Sequence, residues 1–184
     1  MLDYYSRDLN SVEINNSFYR LPSPSTFERW KDATPQDFCF AVKGSRYLTH
    51  QKKLLDPAPP LKRLMSAAGH LGPKLGPIVF QLPPHWRCNP ERLSRFLRAL
   101  PASHRYSIEC RNVTWHNPEV YRLLQTHNVA FCLFELGGSV TPMEVTADFV
   151  YVRLHGPGNK YQGDYSSATL KNWCRRIRRW TGCD

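Results

Sequence analysis

The sequence lacks the features of a membrane-spanning or disulfide-bonded protein. No run of about 18 apolar residues is present, which excludes a transmembrane helix. The segment Met1–Tyr5 has neither the basic nor the apolar region of a secretory signal peptide. No two cysteines form a C-x-x-C pair, and none has metal-site spacing; they are Cys39, Cys88, Cys110, Cys132, Cys174 and Cys183. We therefore expect a cytoplasmic protein with reduced thiols and no membrane partner.

The composition favours one globular domain with an anionic partner. Hydrophobic residues make up 41% of the 184 residues and aromatic residues 12%, enough for a sizeable core. Disorder is excluded for most of the chain on that ground, and we expect a single domain over residues 1–184. The formal net charge of +10 favours phosphate, nucleic acid or an acidic surface as partner without choosing among them.

Strand-like and helix-like segments alternate along the chain, which predicts an α/β fold with a parallel sheet covered on both faces. Ser23, Asn89 and Asn117 have the side chains preferred at helix N-caps, and each is followed by proline at the first helical position. The predicted strands are 12–15, 38–43, 77–82, 105–111, 129–136 and 149–155, and the predicted helices are 24–31, 61–71, 90–100, 118–127 and 167–181.

The strands carry polar groups on one face, increasingly so toward their carboxyl ends. Glu13 opposes Val12 and Ile14, and Arg153 and His155 lie opposite their apolar neighbours. A parallel barrel, whose lumen opens into a site at the strand exits, has this pattern. An open doubly wound sheet, apolar on both faces, fits less well. We therefore predict a TIM-type (β/α) barrel.

Several motifs in order give the chain a family resemblance that covers nearly its whole length. They are Val-Glu-Ile-Asn-Asn-Ser-Phe-Tyr (12–19), Phe-Ala-Val-Lys (40–43), Leu-Thr-His (48–50), Gln-Leu-Pro-Pro (81–84), Ile-Glu-Cys-Arg (108–111) with Trp115, and Val-Arg-Leu-His-Gly (152–156) with Lys160 and Tyr161. The set resembles the YecE-like family, domain of unknown function 72. The resemblance implies a TIM-type barrel and leaves the activity open, because none is established for the family.

The resemblance also predicts an incomplete barrel. Relatives have a strand before the segment like Met1–Tyr5 and another after the helix that ends near Trp180. We therefore expect a truncated barrel of about six parallel strands without the first and last, exposing two unpaired edges. The segment Phe134–Leu136 lacks the Asp that the family would place there, so no acidic role is predicted for its end.

Glu13, Glu109 and His155 are the candidate catalytic residues. Two carboxylates at strand exits can serve as acid and base, and a histidine can transfer protons near neutrality. In the chemistry expected here, Arg111 keeps Glu109 ionised as a base and His155 supplies the acid. The alternatives are structural: Glu109 paired with Arg111 or Lys43, and His155 bonded to a backbone carbonyl. Metal binding by Glu13, Glu109 and His155 stays a minority hypothesis, and no cofactor is predicted.

A second group of residues has the chemistry of ligand binding. Arg111 and Arg153 suit bidentate contacts to phosphate or carboxylate, and Lys43 can bind phosphate, form a Schiff base or simply balance charge in the lumen. Gln81 can only position a substrate through neutral hydrogen bonds. The predicted ligand-binding residues are Lys43, Gln81, Arg111, Arg153, His50 and Tyr161.

The leading functional hypothesis is a pocket for a small anionic or phosphorylated ligand, with hydrolase or lyase chemistry. A nucleic-acid-binding or phosphodiester-processing barrel is the alternative, since the last helix carries Lys171, Arg175, Arg176, Arg178 and Arg179. Such a run is more often a solvated helix face. A third hypothesis is a non-catalytic remnant.

Overall fold

The fold is described from a computed structural model covering residues 2–158 and 161–182. Lys160 and Cys183, named above, lie outside these ranges. The helices are α1 (Leu2–Tyr5), α2 (Pro24–Asp32), α3 (Ala58–Ala68), α4 (Pro90–Arg98), α5 (Pro118–Thr126) and α6 (Ser167–Thr181). Short 3-10 turns span Asn16–Phe18, Gly69–Lys74 and Val113–Trp115, and a π-helical turn spans Tyr47–Gln51.

The predicted caps begin three of the helices. Ser23 accepts a hydrogen bond from the backbone of Thr26, Asn89 accepts from Arg92, and Asn117 accepts from Val120. Each satisfies one backbone donor that the first helical turn leaves without a partner. Proline follows each cap, where its missing N–H costs nothing. The local chemistry therefore fixes where α2, α4 and α5 begin.

In the described part of the chain, eight strands form two sheets. They are β1 (Ser11–Ile14), β2 (Cys39–Lys43), β3 (Leu75–Leu82), β4 (Tyr106–Cys110), β5 (Ala130–Phe131), β6 (Leu133–Leu136), β7 (Ser139–Val140) and β8 (Val152–Leu154). The first five strands pair in parallel in sequence order, and the second sheet has the order β7-β6-β8. In it β8 is parallel to β6, whereas β7 is antiparallel.

Two details of the predicted sheet are corrected. The single strand expected over 129–136 is divided at Cys132, because its first part pairs with β4 and its second part with β8. The strand β7 adds an antiparallel hairpin to the parallel strands that were expected. An α/β fold with parallel pairing is confirmed. The described residues form no closed barrel, and a TIM-type barrel is not confirmed.

The core lies between the helices and one face of the larger sheet. Phe27, Leu71, Phe96 and Leu124 from the helical layer are buried against strand residues such as Phe80. Burial of such side chains contributes roughly 1.5–3 kcal/mol each and is the main stabilising term. This core leaves the opposite face of the sheet for the polar residues of the strands.

The described cysteines are free thiols, as the prediction of no disulfide framework requires. Burial raises the pKa of Cys110 and Cys132 well above the ordinary thiol value, so both are unreactive core residues. Within residues 2–158 and 161–182, no helix combines the length and apolar character needed to cross a membrane. The cytoplasmic location stays a prediction.

Candidate functional site

Glu109 lies at the centre of a polar cluster at the carboxyl end of the larger sheet. Its side chain is fully buried at the end of β4. Gln81 donates from Nε2 to its Oε1 at 2.8 Å, and Arg111 donates from Nε to the same oxygen. Arg153 donates from Nη1 to Oε2. Both carboxylate oxygens are thus engaged by donors from β3, β8 and the segment after β4.

Strand register explains how residues so distant in sequence meet. Gln81 and Glu109 are direct partners in the parallel pairing of β3 with β4, so their side chains leave the same face of the sheet. Arg111 follows Glu109 by two residues and returns to that face. Arg153 reaches the group from β8, in the second sheet. The alternation seen in the sequence therefore specifies the shared face, and the sheet supplies the convergence.

Glu13 joins the first strand to the last. Arg153 donates from Nη2 to its Oε1 at 2.7 Å, and Tyr151 donates from its hydroxyl to Oε2 at 2.8 Å. One guanidinium therefore holds both glutamates, Glu13 and Glu109, through different nitrogens. This arrangement bridges β1 and β8, which are not paired through their backbones.

The arginines determine the charge state of Glu109. Burial alone would raise the pKa of its carboxyl, but Arg153 and Arg111, helped by the Gln81 hydrogen bond, bring the pKa below its ordinary value. The glutamates in turn raise the pKa of Arg111 and Arg153 despite the burial of both. Glu109 is accordingly ionised, and its predicted ion pair with Arg111 is present.

His155 lies beside the arginines in a neutral form. Its Nε2 is 3.2 Å from Nη2 of Arg111, which can only donate, and 4.0 Å from Oε1 of Glu109. Burial lowers the pKa of His155 to about 4, with further lowering by Arg153 and Arg111, against the opposing effect of Glu109. At neutral pH this imidazole is a proton acceptor, so the acid role expected for it is not supported.

Lys43 is the cation of the cluster that lacks a carboxylate partner. Within the described part of the chain, its Nζ forms no ion pair and lies 4.5 Å from the centroid of the Phe18 ring. The side chain is nearly buried. Burial lowers its pKa and the nearby Arg153 lowers it further, against the opposing effects of Glu109 and Glu13. Ser17 donates to the Lys43 carbonyl at 2.7 Å, which holds the end of β2 in place.

His50 and Tyr161 border the cluster. The ring of His50 is 5.1 Å from that of Phe18, and its Nδ1 is 2.9 Å from the Thr49 hydroxyl. Burial, followed by Arg46, lowers the pKa of His50. Tyr161 accepts a hydrogen bond from Arg111 at 3.4 Å, and its ring is 5.4 Å from that of His155. All nine candidate residues therefore belong to one group of neighbouring side chains.

Sequence reasoning missed Tyr151 and Phe18. Tyr151 lies two residues before Arg153 and four before His155, so the same alternation that selected those residues could have found it. Phe18 lies within a motif that was recognised, but a phenylalanine near a strand exit is usually core, and nothing local indicates its contacts with Lys43 and His50. Only the juxtaposition of the loops after β1 and β2 reveals its role.

The cluster has little capacity for a metal ion. Among the residues that the structure describes, no group of three or more His, Cys, Asp or Glu side chains is arranged to hold one. Glu13 and Glu109 direct their oxygens at arginines and at Gln81 and Tyr151, which a cation would have to displace. The donor set therefore suits an anion better than a metal.

Comparisons with known protein sequences give a consistent result. A family model described as a protein of unknown function, DUF72, matches residues 1–184. The UPF0759 protein YecE of Escherichia coli is 32% identical over 114 residues, covering 60% of this chain and 41% of YecE. The UPF0759 protein YunF of Bacillus subtilis is 28% identical over 128 residues, covering 65% of this chain and 45% of YunF. The matched region thus spans less than half of either relative.

Solved structures show the same fold. A DUF72 family protein from Enterococcus faecalis superposes with a TM-score of 0.83 at 16% identity, covering 99% of this chain and 82% of that protein. A DUF72 family protein from Thermotoga maritima superposes with a TM-score of 0.81 at 24% identity, covering 97% and 78%. At these identities the likeness concerns the fold.

Proposed function

The chain belongs to the DUF72 family of unknown function, and on that premise we propose that its polar cluster binds a small anionic ligand. The ligand would carry a phosphate or carboxylate group and lie at the carboxyl ends of the strands, where α/β proteins commonly bind ligands. Lys43 would contact the anion directly, and Arg111 would contribute the guanidinium nitrogens that Glu109 does not occupy.

The observation that carries the proposal is the excess of one positive charge in the cluster, where Lys43 is the cation without an ion pair among the described residues. Three cations, Lys43, Arg111 and Arg153, accompany two carboxylates, Glu13 and Glu109, which leaves one positive charge in excess. A nearly buried ammonium without an ion-pair partner is unfavourable: burial and then Arg153 lower its pKa more than Glu109 and Glu13 raise it. A bound anion would supply the missing partner.

The contacts of Arg111 also leave room for a ligand. Its Nε is committed to Glu109, whereas Nη1 and Nη2 face Tyr161 at 3.4 Å and His155 at 3.2 Å. These are long contacts to neutral groups, and a charged oxygen would form stronger hydrogen bonds in their place. In this proposal Glu109 and Glu13 are positioning residues that orient the two guanidiniums.

We further propose hydrolase or lyase chemistry in which His155 accepts a proton. His155 is neutral at pH 7 and therefore free to accept a proton, as a weak base because its pKa is about 4, and Lys43, whose pKa is lowered, is the better proton donor. Glu109, engaged by three donors, would act through the arginines and not on the substrate itself. A protein that binds the anion without turning over any substrate would instead fit the non-catalytic hypothesis.

The positions of the arginines on three helices outside the cluster favour a small ligand over nucleic acid. Arg95 and Arg98 are exposed on α4, Arg122 is exposed on α5, and Arg175 and Arg176 are exposed on α6. They are distributed over the backs of several helices, as expected for solvated surfaces. A nucleic-acid site would need them along one continuous groove.

Titration calorimetry with inorganic phosphate tests the proposal. Lys43→Met and Arg111→Gln are each expected to weaken binding about tenfold, the usual effect of losing one charge-assisted contact. Lys62→Met, at an exposed position of α3, is the matched control and should leave binding unchanged. Phosphate binding that ignores Lys43 and Arg111 would refute the site.

Titration with short DNA at several salt concentrations then distinguishes small-ligand binding from nucleic-acid binding. The small-ligand proposal expects weak DNA binding. Tight binding with steep salt dependence, reduced by a combined Arg175→Gln and Arg176→Gln change and unaffected by Lys43→Met, would favour the nucleic-acid function.

A further inference from the structure

A pocket lies beside the cluster and is lined by none of its residues. Its volume is about 610 Å³, within the range of small-molecule sites. It is formed by Tyr19–Leu21, which follow β1, by residues of the segment from Ser45 to Asp56 after β2, and by the first two turns of α3. Phe18 separates it from the cluster, since its ring is 5.0 Å from that of Tyr19 and 4.5 Å from Nζ of Lys43.

The pocket combines aromatic rings with uncompensated cations. Tyr19 is 78% exposed and Tyr47 is 49% exposed, both as lining residues. Arg20 and Arg63 also line the pocket, and within the described residues neither has an ion-pair partner. Lys52 is paired with Asp56 at 3.4 Å. The local charge is therefore positive, and rings are available for stacking.

The loop that forms one wall is held in a costly conformation. Lys53, Leu54 and Asp56 have φ values of 48°, 65° and 44°, in the left-handed region that residues other than glycine rarely adopt. Leu54 is nonetheless buried, and its N–H donates to the carbonyl of Leu48 at 2.9 Å. The loop is thus anchored in the core, so the pocket is preformed. Such backbone conformations concentrate at functional sites.

We propose that this pocket binds a mononucleotide-class ligand, a phosphorylated compound with an aromatic ring, stacking the ring on Tyr19 or Tyr47 and holding the phosphate with Arg20 and Arg63. The first turn of α3 offers few backbone donors because Pro59 and Pro60 have no N–H. Anion recognition therefore falls to the two guanidiniums, which bind phosphate through paired hydrogen bonds.

Calorimetry with adenosine 5′-monophosphate tests this site. Adenosine, which lacks the phosphate, and ribose 5-phosphate, which lacks the base, are titrated separately. Combined Arg20→Gln and Arg63→Gln should weaken binding of the nucleotide and of ribose 5-phosphate at least tenfold, and leave adenosine nearly unaffected. Tyr19→Ala combined with Tyr47→Ala should weaken the nucleotide and adenosine about tenfold, whereas the corresponding Phe variants, which keep the rings, should retain binding.

Exposed residues elsewhere provide the controls. Tyr4→Ala and Arg122→Gln remove matched side chains from α1 and α5 and should change nothing. In Lys43→Met, which disables the cluster, the nucleotide binding that remains should still be weakened by combined Arg20→Gln and Arg63→Gln. No heat with millimolar nucleotide, equal binding of nucleotide and ribose 5-phosphate, or loss of binding in Lys43→Met but not in the arginine variants would each overturn the proposal.

Discussion

The cluster and the Tyr19–Arg63 pocket lie side by side, yet they balance their positive charges differently. In the cluster the arginines are nearly buried and each is paired with a glutamate. In the pocket, Arg20 and Arg63 are exposed and are described without an ion-pair partner. Water can solvate the second pair but not the first.

This difference shows why carboxylates occur in one region and not in the other. A buried guanidinium needs a fixed anion, because burial of an unpaired charge is expensive. An exposed guanidinium is solvated by water, so it needs no fixed anion to remain charged. Lys43 is intermediate, since it is nearly buried but has no carboxylate. Substitutions in the two regions should therefore change the free energy of unfolding by different amounts, and Lys43 substitutions should change it in the opposite direction.

The largest expected effect is that of Glu109→Gln on stability. The change removes the carboxylate paired with Arg111 and one of the two paired with Arg153, which keeps Glu13, while both arginines stay nearly buried. We expect a loss of about 3–5 kcal/mol in the free energy of unfolding, measured by urea denaturation. Glu91→Gln, which breaks an exposed pair with Arg95 on α4, is the control and should cost about 0.5 kcal/mol or less. Similar losses of stability in Glu109→Gln and Glu91→Gln would contradict the difference expected between buried and exposed ion pairs.

The next effect is a pH dependence confined to the cluster. The pKa of His155 falls from 6.5 to about 4 on folding, so the unfolded chain binds the proton first as pH falls. Stability from this group is complete above pH 6.5 and is lost as pH falls to 4, by roughly 2–3 kcal/mol. Urea denaturation at several pH values should show this loss.

Variants of His155 and Arg111 test whether His155 causes this pH dependence of stability. His155→Gln should make the stability profile between pH 6.5 and 4 less steep, and the part due to His50, whose pKa is also lowered, should remain. In the Arg111→Gln variant, NMR titration should find the His155 midpoint nearer its ordinary value, because one of the cations that lower it is gone. An unchanged profile in His155→Gln would show that other groups carry the loss.

Lys43→Met should have a smaller effect of the opposite sign. Removing a nearly buried cation without a carboxylate partner should raise the free energy of unfolding by roughly 0.5–1 kcal/mol, even though it weakens phosphate binding. The contact with Phe18 offsets part of this gain. A clear loss of stability in urea would mean that Lys43 is already compensated in the free protein.

The smallest effect is expected in the pocket. Arg20→Gln and Tyr19→Phe alter exposed side chains and should change the free energy of unfolding by no more than about 0.5 kcal/mol. Thermal and urea denaturation measure this change. A loss of several kcal/mol would show that the pocket residues, like Glu109, are needed for the stability of the fold.

The sequence alone determined most of the local structure and the identity of the polar face. Ser23, Asn89 and Asn117 define helix starts through hydrogen bonds within four residues, and alternation placed Glu109, Arg111, Arg153 and His155 among the site residues. These features depend on backbone geometry that repeats every few residues, so a single chain reveals them.

Only the tertiary structure decided how the charges combine. Arg153 meets Glu13 across 140 positions of sequence and meets Glu109 through another nitrogen. Burial together with that geometry makes His155 neutral and leaves Lys43 without an ion pair among the described residues. Backbone pairing with β4 and β8 divides the predicted strand at Cys132. Charge interactions depend on distance and burial in three dimensions, and spacing along the chain specifies neither.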